Sequence, residues 1–284
     1  MVTALSWTAF CSSALFSNNP IKSSFESIQF ELVNGLIVLS ASVNGEEGNF
    51  ILDTGSPQLL LNSRVKKADF ACVSLDRVLK AKYVDVDHMQ IGSFEKHQFE
   101  AWATNLSFLE ELLDRNISGL IGLDVMTESR LWIDYENRQI FLLPQDMAGL
   151  PVNLSNSNLV SLDFELSEEG MPVVELQVEN QPLTFAFDTG AGLSVIDKKM
   201  AESISKHKAD TNENIPPQLN HLDLKMDYLN VKKLPFISSN LNKFNNDSSI
   251  KIDGILSVYS LNAQQVLIDY KKKKIHIFWK TNEA

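Results

Sequence analysis

Cysteine is nearly absent from this chain. Cys11 lies in the first, apolar segment and Cys72 in the body, and two such residues build neither a disulfide framework nor a thiolate metal cluster. Cys72 falls in the apolar run Asp69-Phe70-Ala71-Cys72-Val73 and reads as an ordinary half-buried thiol. Positive charge is also short: 25 Lys and Arg stand against 36 Asp and Glu, a formal charge of -11. That balance excludes nucleic acid as a partner, because a phosphate backbone needs a basic surface. The one dense basic run, Lys271 to Lys274, separates two strand-like segments and reads as a solvated tip. Long hydrophobic runs are missing too. The first seventeen residues are apolar and uncharged but too short to span a bilayer, and no later segment approaches that length. Residues 1–23 have the length of an export signal without its basic start or small-residue cleavage site. Export to a periplasm or to the medium is the expectation, over a cytoplasmic location. No G-x-S-x-G, P-loop or dinucleotide fingerprint occurs. The five histidines show no metal-ligand spacing, so neither a metal nor a cofactor is expected. Asp85, Asp87 and His88 sit close together, yet the alternation in Tyr83-Val84-Asp85-Val86-Asp87 predicts a strand with one solvated face.

What the chain does contain is a repeat. Asn49-Phe50-Ile51-Leu52-Asp53-Thr54-Gly55 matches Thr184-Phe185-Ala186-Phe187-Asp188-Thr189-Gly190 at an offset of 135 residues. The same offset carries Asn105-Leu106 onto Asn240-Leu241, Gly119 onto Gly254, and Ile133-Asp134-Tyr135 onto Ile268-Asp269-Tyr270. Near the start, Ser27 to Leu32 (SIQFEL) matches Ser161 to Leu166 (SLDFEL) at an offset of 134, which one extra turn residue in the second copy explains. Each copy is rich in short β-forming runs joined by turns, at Asn44-Gly45 and at Asn180-Gln181-Pro182. Helical periodicity is limited to short pieces, Ser107 to Leu113 and Lys198 to Lys206. The expectation is an all-β protein of two related lobes about a pseudo-two-fold axis, as a homodimer is built about a true one. The lobes are placed at 24–143 and 158–284, with a Gly/Pro/Asn/Ser-rich linker at 144–157. Two lobes in one chain make a monomer the default.

In both copies an apolar strand runs straight into Asp-Thr-Gly. One carboxylate at a strand end is ordinarily a turn residue. Two at equivalent places in a repeat can meet at the axis, where like charges cannot both ionise easily and one proton is shared. Such a pair supplies a general base and a general acid together. Thr54 and Thr189 are expected to hydrogen-bond across the axis and fix the distance between Asp53 and Asp188. Gly55 and Gly190 leave room around the carboxylates. Asp134 and Asp269 recur before a Tyr and read as turn or lobe-packing residues. Asp124 reads as structural, paired with an arginine.

Asp53-Thr54-Gly55-Ser56 and Asp188-Thr189-Gly190-Ala191 resemble the active-site signatures of pepsin-like and retroviral aspartic peptidases. Leu120-Ile121-Gly122 resembles the apolar-apolar-Gly element of that family, 69 residues after Asp53; Ile255-Leu256-Ser257 occupies the same place after Asp188. By size and motif the chain is similar to the bacterial single-chain group with tandem retropepsin-like lobes. The resemblance implies retropepsin-like β-barrel lobes and an aspartic endopeptidase that hydrolyses peptide bonds through water activated by the Asp53/Asp188 pair. It implies a peptide or protein substrate bound as an extended strand, and no metal or covalent intermediate. A peptide-binding protein that retains the fold without turnover is the alternative. The resemblance further implies that Ser56 bonds the outer oxygen of Asp53 while Ala191 cannot serve Asp188 likewise, which would make Asp53 the ionised partner. Residues 1–23 could then be a pro segment over the cleft. Two departures stand out. Ser257 replaces the second glycine and is expected to be tolerated, and no flap tyrosine can be placed by spacing, Tyr83 being the candidate.

Overall fold

A computed structural model describes residues 26–74, 77–147, 157–207, 219–245 and 250–280. The leader, and the linker from 148 to 156, lie outside the described residues.

The two halves repeat one topology. In the first, Ile28–Val33, Leu36–Val43 and Glu46–Leu52 form an antiparallel meander. Glu46–Leu52 then pairs in parallel with Gly119–Ile121, which is antiparallel to Leu60–Asn62. Leu60–Asn62 in turn lies parallel to Phe94–Thr104, followed outward by Arg77–Ile91 and Phe70–Ser74. In the second half Pro172–Val178, Gln181–Asp188, Gly254–Ser257, Ser194–Asp197, Leu229–Ser239 and Leu219–Met226 follow the same order. In each half the sheet curls back on itself, through Ser42↔Gln90 in one and Gln177↔Lys225 in the other. The protein is therefore mostly β, with barrel-like sheets in two lobes. Short helices lie at Ser107–Leu113 and Lys198–His207, where the helical spacing was read.

Turn chemistry is visible at the first hairpin. Asn44 and Gly45 both have positive φ, 52° and 82°, as a two-residue turn between twisted strands requires. The second hairpin departs from expectation: it turns at Glu179-Asn180 (φ 49° and 64°), and Gln181 and Pro182 already belong to the strand. Glu179 and Asn180 stand at the repeat offset from Asn44 and Gly45, so the turn occupies the same place in both copies, and Pro182, with its φ fixed near −65°, falls beyond it in the strand.

Between the lobes runs a sheet drawn from both. Its order is Ser157–Asp163, Lys274–Lys280, Gln265–Asp269, Arg130–Asp134, Gln139–Leu143, and the start of Ile28–Val33. Gln265–Asp269 meets Arg130–Asp134 antiparallel, with Leu267 opposite Trp132. Those two residues are themselves separated by the repeat offset, so the pseudo-two-fold axis passes through their pair. Trp132, Phe141, Leu143, Leu267 and Phe278 form a buried cluster on this sheet, with the Trp132 and Phe278 rings stacked at 5.8 Å.

Asp134 and Asp269 tie the hairpins and the halves together. Asp134 accepts from the Asn137 backbone N–H and, across the axis, from Gln265 Nε2, both at 2.9 Å. Asp269 accepts from the Lys272 N–H at 2.9 Å and lies 3.1 Å from Arg130 Nε of the first half. The lysine tip at 271–273 is exposed.

His276, on the same sheet, is 9% exposed, and its Nδ1 lies 2.8 Å from Ser161 Oγ. Burial, with Arg130 nearby, lowers its pKa from 6.5 to about 4. The unfolded chain therefore takes up this proton first. Stability from a neutral His276 is full above about pH 6.5 and declines as pH falls from there towards 4, by up to about 3 kcal/mol. Urea midpoints should fall less steeply over that interval in a His276→Gln variant than in the parent; equal slopes would count against the assignment.

Candidate active site

Asp53 and Asp188 reach the same point from opposite lobes because their strands are held from behind in equivalent ways. Asp53 N–H donates to the Ile121 carbonyl at 3.0 Å. Asp188 pairs in register with Ser257, and its carbonyl accepts from Val258 N–H at 3.1 Å. Leu120, Ile121, Ile255 and Leu256 are buried in these backing strands. A Cβ on Gly122 would strike the Gln58 backbone, 2.8 Å from its nitrogen, so the loop following Asp53 can lie directly on it.

Ser257, the counterpart of Gly122, is fully buried yet fits. Its N–H donates to Ser194 Oγ at 3.1 Å, and Ser194 Oγ lies 2.6 Å from Ser260 Oγ. Ser260 O–H also reaches the Ser257 carbonyl at 2.9 Å. Ser257 is thus held in a network of three serines, where the first lobe packs backbone directly against Gly122. Asp124 sits at the end of the first element, and its neighbour is a lysine rather than an arginine: Lys96 Nζ donates to the Asp124 carbonyl and to Glu128. Burial raises the pKa of the Asp124 carboxyl, and the charge of Lys96 opposes that rise.

The two threonines interlock. Thr54 N–H donates to Thr189 Oγ1 (3.0 Å), and Thr189 N–H donates to Thr54 Oγ1 (2.9 Å). Each hydroxyl then donates into the other lobe, Thr54 to the Phe187 carbonyl at 3.0 Å and Thr189 to the Leu52 carbonyl at 2.8 Å. Both residues are buried, so truncating one strands an N–H and a carbonyl away from water. Thr54→Val is expected to destabilise by about 2–3 kcal/mol, while Thr54→Ser keeps the stability. A shape-conserving valine without measurable cost in thermal melts would remove these bonds from the account of the site.

Gly55 N–H donates to Asp53 Oδ1 at 2.8 Å, and Gly190 N–H to Asp188 Oδ1 at 2.7 Å. Each glycine also faces the opposite carboxylate. A Cβ on Gly55 would lie 2.8 Å from Asp188 Oδ2, and one on Gly190 would collide with Asp53. Any side chain there would push the pair apart.

Burial raises the pKa of both carboxyls. The adjacent Asp188 charge lifts Asp53 further still, as two like charges in contact resist ionising together. The hydrogen bond from which Asp53 was expected to be the ionised partner is absent from this structure. The Ser56 hydroxyl donates to the Gln58 carbonyl at 2.9 Å instead of to Asp53, and its single proton cannot do both. Tyr135 and Tyr270, equivalent in the repeat, lie buried in the field of Asp188, and burial holds both phenols neutral.

A cleft of about 190 Å³ opens over the carboxyls. Repeat partners line it from both sides: Leu36 with Met171, Ile51 with Ala186, Leu120 with Ile255, and Ser56 with Ala191. The hairpin of Phe70–Ser74 and Arg77–Ile91 contributes Cys72 and Leu79, beside Trp102. Tyr83, on the same hairpin, is 49% exposed and packs on Phe70 at 4.7 Å; it is not among the lining residues. Cys72 and Leu79 were not singled out as site residues in the sequence, where their alternation looks like that of any strand. Burial raises the pKa of the Cys72 thiol and keeps it protonated. Asp85 and Asp87 are exposed along their strand.

No protein-family model matches the sequence, and no curated protein matches it. Solved structures do. An aspartic proteinase from Irpex lacteus is similar with a TM-score of 0.59 at 10% identity, over 91% of this chain and 98% of that one. Basic 7S globulin from soybean is similar with a TM-score of 0.54 at 11% identity, over 89% and 96%. At such identities the likeness is one of architecture: this chain has the two-lobed fold of the pepsin-like aspartic proteinases.

Proposed function

We propose that this protein is an aspartic endopeptidase whose catalytic residues are Asp53 and Asp188. The observation that carries the reading is that each carboxyl lies against the glycine beside the other, Asp188 at Gly55 and Asp53 at Gly190, on the floor of one largely apolar cleft. They share a proton, so one ionised oxygen can take a proton from a water while the other carboxyl donates to the scissile carbonyl. The water adds to the carbonyl carbon, and the resulting diol collapses with a proton passing to the departing nitrogen. The pair ends with one proton, as it began. The interlocked threonines keep the oxygens at fixed separation while charge moves between them. The cleft suits a peptide lying extended between the lobes, and the near gap-free repeat supports a single-chain enzyme of tandem retropepsin-like lobes, 24–143 and 158–284, acting as a monomer.

A second reading, a peptide-binding protein without turnover, draws on Ala191 and Ser257, where the second copy departs from the first. Of the two solved structures named above, one bears a proteinase's name and the other a globulin's. Digestion of an unbiased peptide mixture across acid to neutral pH separates the readings. Cleavage by the parent, lost in both Asp53→Asn and Asp188→Asn, is the expected result. Silence of the parent at every pH, with and without residues 1–23, would leave peptide binding as the function.

A further inference from the structure

Among the described residues, one group of three possible metal ligands converges: His88, Glu95 and His97. They belong to the hairpin of Arg77–Ile91 and Phe94–Thr104, where His88 stands directly opposite His97 and Gln90 opposite Glu95. The two imidazoles stack at 4.6 Å. Glu95 Oε2 lies between them, 3.8 Å from His88 Nε2 and 3.4 Å from His97 Nε2. All three ligand atoms fall within 4.8 Å of one another.

The backbone holds this arrangement in place. Gln98 takes a positive φ of 51°, an unusual conformation for a side chain of that type. From the neighbouring hairpin turn, Asn44 Oδ1 accepts from the N–H groups of both Asp87 and His88, at 2.9 and 3.1 Å. The position of His88 is therefore fixed from beneath, while the imidazoles remain open to solvent, His97 more so than His88.

We propose that His88, Glu95 and His97 form a surface binding site for a divalent transition ion of the zinc or copper class. Tetrahedral ligands about 2.0–2.1 Å from such an ion lie roughly 3.3–3.5 Å apart. The Glu95–His97 separation already meets this, and a turn of the imidazoles about χ2, a soft torsion, closes the remainder. Two imidazole nitrogens and one carboxylate suit borderline ions, whereas calcium and magnesium take oxygen ligands. Water fills the fourth position. The ion would join the two strands of a hairpin whose other end carries Leu79 and Trp102 into the cleft. Nine residues of extended chain, roughly 30 Å, separate His88 from Leu79, so the ion does not touch the carboxyl pair and its binding is independent of hydrolysis.

The test is calorimetric titration of metal-free, full-length protein with zinc chloride near neutral pH. The parent is compared with His88→Gln, His97→Gln and Cys72→Ser. Expected are one equivalent bound in the micromolar range, a loss of about tenfold or more in affinity for either glutamine variant, and no change for Cys72→Ser. Thermal melts should show zinc raising the parent's Tm but not that of His97→Gln. Both histidines have exposed edges, so the variants should fold, and melts without zinc check this. The site would be overturned by the absence of saturable binding below about 1 mM. Full affinity in both glutamine variants would overturn it equally, by placing the ion elsewhere.

Discussion

At neutral pH the Asp53→Asn protein is expected to melt above the parent while losing peptide hydrolysis by at least about 10³-fold. Both effects come from one contact. Asp53 and Asp188 have folded-state pKa values raised above 3.8 by burial, and that of Asp53 is raised further by its neighbour. The folded protein therefore holds their protons more tightly than the unfolded chain does. The contribution of the pair to stability is present in acid and is lost as pH rises above about 4 through the raised values. Each tenfold gain in proton affinity on folding is worth about 1.4 kcal/mol, or roughly 2–5 °C in Tm for a chain of this size. Asparagine keeps an oxygen for the Gly55 amide and removes the charge. The gap in Tm between variant and parent should be near zero at pH 3 and widest at pH 7. Melts at pH 3, 5 and 7, read beside the hydrolysis assay, check this. A variant that melts below the parent at pH 7 would show that the carboxyls are not forced together. The melting result does not depend on turnover, so it tests the site's geometry even in a protein that only binds peptides.

Arg130→Met is expected to cost about 3 kcal/mol, the lower end of the penalty for breaking a buried pair, because the exposed Lys272 still stands 3.8 Å from Asp269 Oδ2. The Asp269 side chain is 1% exposed and Arg130 is 8% exposed. Arg130 also donates from Nη1 to the Met147 carbonyl at 2.9 Å, so its loss loosens both the central sheet and the chain leaving it. Asp269→Asn in the same background should recover most of the loss, because it removes the stranded charge while an amide oxygen still caps the Lys272 turn. Urea midpoints of the two single variants and the double variant measure the coupling. Additive costs would mean that the pair contributes little to joining the lobes.

Much of this was legible in the chain itself, because duplication prints each structural demand twice. The two strand-to-Asp junctions, the Asn105 and Asn240 helix starts and the Asp134 and Asp269 turns each recur at the same offset. The structure gives the members of each set equivalent bonds. Asn105 and Asn240, for example, both accept from the N–H two residues on, at 2.9 and 2.8 Å. What stayed hidden depends on side-chain direction rather than on position. Nothing in Ser56-Pro57-Gln58 says that the hydroxyl faces the Gln58 carbonyl. The nine-residue offset from His88 to His97 reveals a convergent pair only once the hairpin register is known. The cleft-facing role of Cys72 and Leu79 follows from how far their hairpin overhangs the floor, which alternation alone does not encode. The turn at Glu179-Asn180 is a subtler case. Glu179 and Asn180 accept left-handed backbone at the places that Asn44 and Gly45 hold in the first copy, although neither is a glycine.

The antiparallel meeting of Arg130–Asp134 with Gln265–Asp269 carries a consequence for heredity. In a homodimer each codon is expressed on both sides of the axis, so a change that suits one corner is imposed on the other. Covalent duplication lifts that constraint. Here one corner holds Arg130 with Asp269 and the other holds Gln265 with Asp134, a charge pair and an amide–carboxylate pair at places symmetry would make identical. Gly122 against Ser257 and Ser56 against Ala191 are the same kind of divergence beside the carboxyls. Each lobe is thus free to explore sequence by single steps while its twin keeps the inherited solution.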